Sequence, residues 1–191
     1  ATCCRDEAME SNPAMKCLVF GATGYLGGHL VPALKARGHD VVAYPATQGS
    51  EFGRLDIGDL QMLSQVDWNV ERVFLFAGMT GTAASFGNAQ AYVRSNEIGM
   101  LNVLECVRQA GSHARVIFPS SRLVYRGSDR PIPETATLEA RTVYAASKIG
   151  CEFLLQAYAH AYGIPYTVFR VCVPYGNSQG GQYSYGTVGN F

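Results

Sequence analysis

Hydrophobic positions along this chain follow two periods in turn. Residues 16–20, Lys-Cys-Leu-Val-Phe, form a short apolar run that ends at Gly21. A run that short and that continuous predicts a buried strand. Residues 25–37 carry Leu26, Leu30, Ala33 and Leu34 at helical spacing, and Gly38 is placed to end that helix. Residues 40–44 predict a second strand, 54–57 a short third one and 59–66 a helical stretch. The pattern then gives a strand at 72–76 and a long helix at 89–109, whose apolar positions include Val93, Ile98, Leu101, Val103 and Leu104. A strand at 115–118, a long helix at 143–162 and a strand at 166–171 follow. Strands that alternate with helices predict an α/β domain with a parallel sheet covered on both faces. There is no internal repeat.

The ends of the chain differ from this pattern. Residues 1–14 are polar and aperiodic, and are expected to be a flexible extension before a natural start at Met15. Residues 177–191 are rich in Gly, Ser and Tyr. They are expected to be a loop or the start of a region the chain does not finish.

Composition narrows the function classes. The 191 residues suffice for one domain with a real core, and 48% of them are apolar against 16% charged. Fifteen basic and fifteen acidic residues cancel. With no basic block, electrostatics give no case for a nucleic-acid partner. No apolar run reaches the ~18 residues of a membrane span. The six cysteines, Cys3, Cys4, Cys17, Cys106, Cys151 and Cys172, contain no C-x-x-C pair. The last four fall in predicted strands and helices and read as small core residues, neither disulfides nor metal ligands. No metal site is expected. No apolar leader precedes Met15, so a reducing cytoplasm is the expected location.

Candidate chemistry begins at Gly21-Ala-Thr23-Gly24-Tyr25-Leu26-Gly27-Gly28, between the first strand and the first helix. Glycines there let the backbone turn tightly and approach a pyrophosphate, which the helix N-terminus then faces with its amides. The spacing is G-x-x-G-x-x-G. The second strand ends at Tyr44-Pro45-Ala46-Thr47. That gives no acid for an NAD ribose and no Arg or Lys for an NADP phosphate, which leaves Thr47 or Gln48 as hydrogen-bonding candidates. Asp56 can accept from an adenine amine, or simply cap a turn.

A second constellation lies in Tyr144-Ala-Ala-Ser-Lys148. Residues four apart share one helix face, so a phenol and an ammonium group are neighbours. The positive charge favours the phenolate. A free tyrosine titrates near ~10, so a base working at neutrality needs a shift of about 4 kcal/mol. A cationic nicotinamide ring nearby would add to what lysine supplies.

Taken together these residues resemble the extended short-chain dehydrogenase/reductase family, in its nucleotide-sugar epimerase/dehydratase group and most like the UDP-glucose 4-epimerases. The resemblance runs from Met15 to about Gly176. Gly21, Gly24 and Gly27 match the glycine motif. Asp56, followed by Ile57, matches the adenine-contacting aspartate. Phe76, Ala77, Gly78 and Thr80 fall in the loop beside the nicotinamide ribose, and Asn96 with Gly99 matches an Asn-x-x-Gly signature. The segment 119–125 matches the one that carries a catalytic Ser or Thr, and counting back from Val124-Tyr125 assigns that role to Ser121. Tyr144 and Lys148 match the Y-x-x-x-K pair, and 170–176 resembles the motif ending in Tyr-Gly.

The resemblance implies a Rossmann-like doubly wound NAD(P)-binding domain over residues 15–176, with the C-terminal substrate domain largely absent. It implies NAD, with NADP left open, held by Gly21, Thr23, Gly24, Tyr25, Leu26, Gly27, Asp56, Ile57, Phe76, Ala77, Gly78, Thr80, Asn96, Tyr144 and Lys148. Tyr144 would move a proton at a sugar oxygen, Lys148 would hold the nicotinamide ribose and Ser121 would bond the reacting oxygen. Thr80, Ser121, Arg122 and Asn177 are the implied substrate contacts. Dehydratases of this group carry acids just after the catalytic residue. Arg122 and Leu123 stand there instead, which disfavours dehydration and leaves C4 epimerisation, with ketone reduction as the alternative. Arg122 suits a substrate phosphate or carboxylate, or a surface salt bridge.

Family members continue well beyond this motif. The chain is therefore expected to be part of a longer protein, a short form that binds cofactor without turnover, or a partner to another chain that supplies the substrate lid. The helices at 89–109 and 143–162 resemble the pair that forms a dimer interface in this family, so a homodimer is expected.

Overall fold

A computed structural model describes residues 13–45, 55–177 and 184–185. Five parallel strands form one sheet: β1 (Lys16–Phe20), β2 (Asp40–Tyr44), β3 (Arg72–Leu75), β4 (Arg115–Ser121) and β5 (Tyr166–Val171), in the order β2-β1-β3-β4-β5. β1 pairs with β2 on one side, Cys17 against Val41, and with β3 on the other, Leu18 against Val73. Successive residues of β1 bury on opposite faces. Leu18 and Phe20 enter the larger core, while Cys17 and Val19 join Leu34 and Val41 in a smaller one. This two-sided burial is why its sequence is a continuous apolar run rather than an alternating one.

Helices fill the connections: α1 (Tyr25–Ala36), α2 (Leu60–Leu63), α3 (Thr82–Gly87), α4 (Ala89–Tyr92), α5 (Gly99–Gln109) and α6 (Val143–Tyr162). α6 has the predicted ends for visible reasons. The Thr142 hydroxyl accepts from the Ala145 amide at 3.0 Å, and Gly163 closes the helix in the left-handed region at φ 70°. A short antiparallel pair, β6 (Gly176–Asn177) and β7 (Ser184–Tyr185), follows β5.

Several expectations need correction. Residues 55–57 form no strand. The Leu55 amide bonds the Pro45 carbonyl at 3.3 Å, and Leu55 and Ile57 bury their side chains without a ladder. Residue 54 lies outside the described residues. The helix expected over 59–66 is one turn, Leu60–Leu63, capped by the Asp59 carboxylate. A helix at Thr82–Gly87 was not expected. The helix at 89–109 is not uniform: residues Val93–Ile98 are π-helical and join α4 to α5. β4 runs three residues further than predicted, to Ser121, which pairs with Val171. Cys17, Cys106 and Cys151 are buried free thiols, but Cys172 lies beyond β5 and is exposed.

Candidate active site

The strand order reverses between β1 and β3, so a crevice opens at their carboxyl ends, the usual ligand position in an open α/β sheet. The glycine turn fills the lip of that crevice. Gly21 has φ 81°, and a Cβ on it would stand 2.5 Å from the Ala77 nitrogen at the end of β3. A Cβ on Gly27 would strike Gly21 and Ala22 backbone. The turn therefore packs backbone on backbone. Its amides at Gly21 and Ala22 both bond the Tyr44 carbonyl, at 2.9 and 3.1 Å. Gly24 caps α1 with no side chain over the helix end. Thr23 and Gly24 are exposed, and Tyr25 and Leu26 half-buried. A cradle of bare backbone, at the positive end of a twelve-residue helix, fits a pyrophosphate.

The loop after β3 is held from below. Asn96 Oδ1 accepts from the Met79 amide at 2.7 Å, and its Nδ2 donates to the Met79 carbonyl at 3.1 Å and to Ser147 Oγ at 2.9 Å. Asn96 is buried and its side chain is spent on these bonds. It thus shapes the loop that carries Phe76, Ala77, Gly78 and Thr80. The Thr80 carbonyl is fixed in turn by the Tyr92 hydroxyl, at 2.5 Å.

Asp56 opens a turn beside the carboxyl end of β2. One carboxylate oxygen accepts from the Gly58 amide at 2.9 Å, leaving the other for a ligand. Ile57 is 4% exposed and packs into the core. Its side chain anchors the turn, which leaves its backbone as the part that can face a cofactor. Thr47 and Gln48 lie outside the described residues.

The acid–base candidates meet where β4 ends and α6 begins. Tyr144 and Lys148 are both buried on the inner face of α6. Lys148 Nζ donates to the Pro119 carbonyl at 2.9 Å and lies 4.4 Å from the centre of the Phe118 ring and 5.8 Å from that of Tyr144. Burial lowers its pKa to about 8, against smaller opposing effects of Cys151 and Glu152. It is still protonated at neutral pH. Ser147 Oγ donates to the Tyr144 carbonyl at 2.8 Å, so one chain of bonds runs from Met79 through Asn96 and Ser147 to Tyr144. Ser121, two residues past Pro119, accepts from the Leu123 amide at 3.2 Å and is buried. That bond occupies one lone pair and leaves the hydroxyl proton for a ligand oxygen.

A buried ionic network that the sequence reading missed lies behind this site. Ser120 Oγ donates to Glu152 Oε1 at 2.5 Å, and Arg170 grips Glu152 through Nη2 at 2.7 Å and Nε at 3.1 Å. Arg170 also donates to the Tyr125 hydroxyl at 2.6 Å. Glu152 stands four residues after Lys148 in α6, and that spacing was the available signal. Arg122 is exposed and lines a groove of about 1300 Å³ between β5, α6 and the segment 122–142. The groove runs beside the Tyr144–Lys148 pair rather than over it. Asn177 pairs through its backbone with Ser184. Among the described residues no cluster of His, Cys, Asp or Glu suits a metal ion, and no helix is long and apolar enough to cross a membrane.

Known proteins share this arrangement. A UDP-glucuronate 4-epimerase of Arabidopsis thaliana is 30% identical over 181 residues, covering 83% of this chain and 42% of that protein. The UDP-glucuronate 4-epimerase of Thermodesulfobacterium geofontis is 29% identical, covering 83% and 56%. The solved structure of Thermus thermophilus UDP-glucose 4-epimerase with NAD superposes with a TM-score of 0.74 at 26% identity, covering 82% of this chain and 54% of that one. The chain thus spans about half the length of the relatives it matches. The family model for the NAD dependent epimerase/dehydratase family matches residues 17–188. With the glycine cradle, the sheet order and the Tyr144–Lys148 pair in place, the chain belongs to that family.

Proposed function

We propose that this chain carries the cofactor-binding and acid–base centre of an NAD-dependent nucleotide-sugar epimerase, inverting C4 through a transient 4-keto sugar. The observation that carries the proposal is the Lys148–Pro119 bond, which ties the helix bearing Tyr144 to the end of the strand bearing Ser121. Bound NAD would supply the hydride acceptor and donor. Tyr144 takes the proton from the C4 hydroxyl as C4 gives up its hydride, and returns it to the same oxygen when hydride re-enters C4 from the opposite face of the turned ketone. Ser121 donates its free proton to the same oxygen. Lys148, protonated at neutral pH, favours the Tyr144 phenolate and binds the ribose. Leu123 provides no acid or base for loss of water. The relatives act on UDP-glucuronate and UDP-glucose by name, which supports a UDP-sugar as substrate.

The test is NAD binding and turnover across a panel of UDP-sugars, with Tyr144→Phe as control. Turnover that the variant abolishes supports the proposal. NAD binding with every sugar unchanged defeats it, and favours a second reading, a dinucleotide-binding module without turnover. We further infer a homodimer through α4, α5 and α6, where Val93 and Ile98 in the joining π stretch and Phe153 of α6 are exposed. Light scattering that reports only monomer at high concentration counts against it. The buried free thiols Cys17, Cys106 and Cys151 support a reducing, cytoplasmic location.

A further inference from the structure

We infer that Asn102 is a positioning residue for the adenine end of the cofactor, acting through the turn that carries Asp56. The inference rests on the NAD reading above and deepens it. The turn is closed by the Asp59 amide on the Asp56 carbonyl at 2.9 Å and by the Gly58 amide on Asp56 Oδ1 at 2.9 Å. Three anchors hold it against the rest of the fold. The Leu55 amide bonds Pro45, next to the end of β2. Ile57 lies against Gly99, where a Cβ would come within 2.6 Å of its Cδ1. Asn102 Nδ2, on α5, donates to the Ile57 carbonyl at 3.0 Å across 45 positions of sequence.

These anchors differ in kind. Pro45 directly follows β2 and Ile57 belongs to the core, so altering either disturbs the fold. Asn102 is half-buried and contributes one side-chain hydrogen bond to a single carbonyl. What that bond fixes is the orientation of the Ile57–Gly58 peptide, whose amide in turn holds Asp56 Oδ1. Asp56 has spent one oxygen on its own turn, so only the other can meet an amine, and a hydrogen bond to it weakens steeply with misalignment. A charged acceptor opposite the adenine amine gives selectivity for that amine, on the order of tenfold or more. A rotated peptide loses the selectivity while the remaining cofactor contacts persist.

The probe is the pair NAD and nicotinamide hypoxanthine dinucleotide, which replaces the amine donor with a carbonyl oxygen at the same position. Binding of both is measured for the wild-type chain, Asn102→Ala and Asn102→Asp. The Asp variant keeps side-chain size and removes the donor. Wild type should prefer NAD by roughly tenfold, and both variants should bring the ratio near one with the fold retained by circular dichroism. A residue with a merely structural role would weaken both dinucleotides alike and leave the ratio unchanged, which overturns the inference. So does a wild-type ratio of one, or loss of fold in both variants. Absence of any NAD binding by the wild type overturns the NAD reading and this inference together, and is distinguished from the other results by that first titration.

Discussion

Lys148 Nζ donates to the carbonyl oxygen of Pro119 across 2.9 Å, in a position 5% exposed. The bond places an ammonium group under the end of β4 at the cost of its hydration. Its pKa falls from 10.5 to about 8, with burial as the main cause. A lowered lysine pKa means that the native state binds fewer protons than the unfolded chain between about pH 8 and 10.5. Stability from this group therefore rises across that window, and below it the full penalty of ~3 kcal/mol applies.

Lys148→Met should therefore stabilise the fold at pH 7. It removes the ~3 kcal/mol penalty and leaves the Pro119 carbonyl without its donor, at about 1 kcal/mol. The net gain is about 1–2 kcal/mol, visible as a higher melting temperature. The rise in stability between pH 8 and 10.5 should vanish in the variant, and NAD affinity should fall. A variant that melts lower than wild type at pH 7 refutes this account of Lys148.

The three glycines of the turn should separate into two classes. Gly21→Ala meets backbone atoms of Phe76 and Ala77 at a φ that alanine avoids, and Gly27→Ala strikes the turn itself. Each should cost more than about 3 kcal/mol, because backbone must move. Gly24 has φ −70° and its Cβ would stand 3.3 Å from the Gly21 carbonyl oxygen. Gly24→Ala should melt within about 1 kcal/mol of wild type yet bind NAD roughly tenfold or more weakly, since its methyl group enters the cradle. Chemical denaturation and NAD titration of the three variants check both halves.

Where sequence reading succeeded, one face of an element was made of one kind of residue. β1, β2, β5 and α6 have the predicted bounds because apolar runs and the Thr142 and Gly163 caps mark them. Leu-Asp-Ile at 55–57 also looks like a strand, but two buried side chains need no ladder if a turn delivers them to the core. Thr82–Gly87 is small residues apart from an exposed Phe86, with no amphipathic stripe, so its helix gave no period to detect. The π stretch Val93–Ile98 changes register by less than a helical pattern can register. At the site, motif residues such as Gly21, Tyr144 and Lys148 were legible because their chemistry is local. Asn102, Ser147 and the Glu152–Arg170 pair act through partners 18 to 51 residues away, and the place of Glu152 one turn after Lys148 marks its helix face without naming Ser120 or Arg170.

The Asn96 clamp yields an asymmetric prediction. Asn96→Ala orphans both the amide and the carbonyl of Met79, as well as one bond to Ser147, and should cost about 2–4 kcal/mol. Ser147→Ala removes one acceptor from Asn96 and a second bond to the Tyr144 carbonyl, and should cost only about 1 kcal/mol. Hydrogen exchange at the Met79 amide gives a local readout. It should accelerate strongly in the Asn96 variant and little in the Ser147 variant, and equal acceleration would show that the loop is held by something else.

The Glu152–Arg170 pair should behave as a unit. Their side chains are 9% and 23% exposed, and the guanidinium holds both carboxylate oxygens. Arg170→Met leaves a buried carboxylate with only Ser120 for a partner, and should cost about 3 kcal/mol after allowance for the partial exposure of Arg170. Glu152→Gln keeps an acceptor for Arg170 and should cost about 1–2 kcal/mol. The double variant should be less destabilised than the two changes summed, by about 1.5 kcal/mol or more, because the charge that made Arg170 necessary is gone. The same cycle read by NAD affinity tests the functional link. Ser120 adjoins Ser121 and Glu152 follows Lys148 by one helical turn, so Arg170→Met should loosen the alignment of β4 with α6 and weaken NAD binding beyond what Glu152→Gln does. Equal affinities across the cycle would confine this network to stability and leave the Lys148–Pro119 bond to align the site alone.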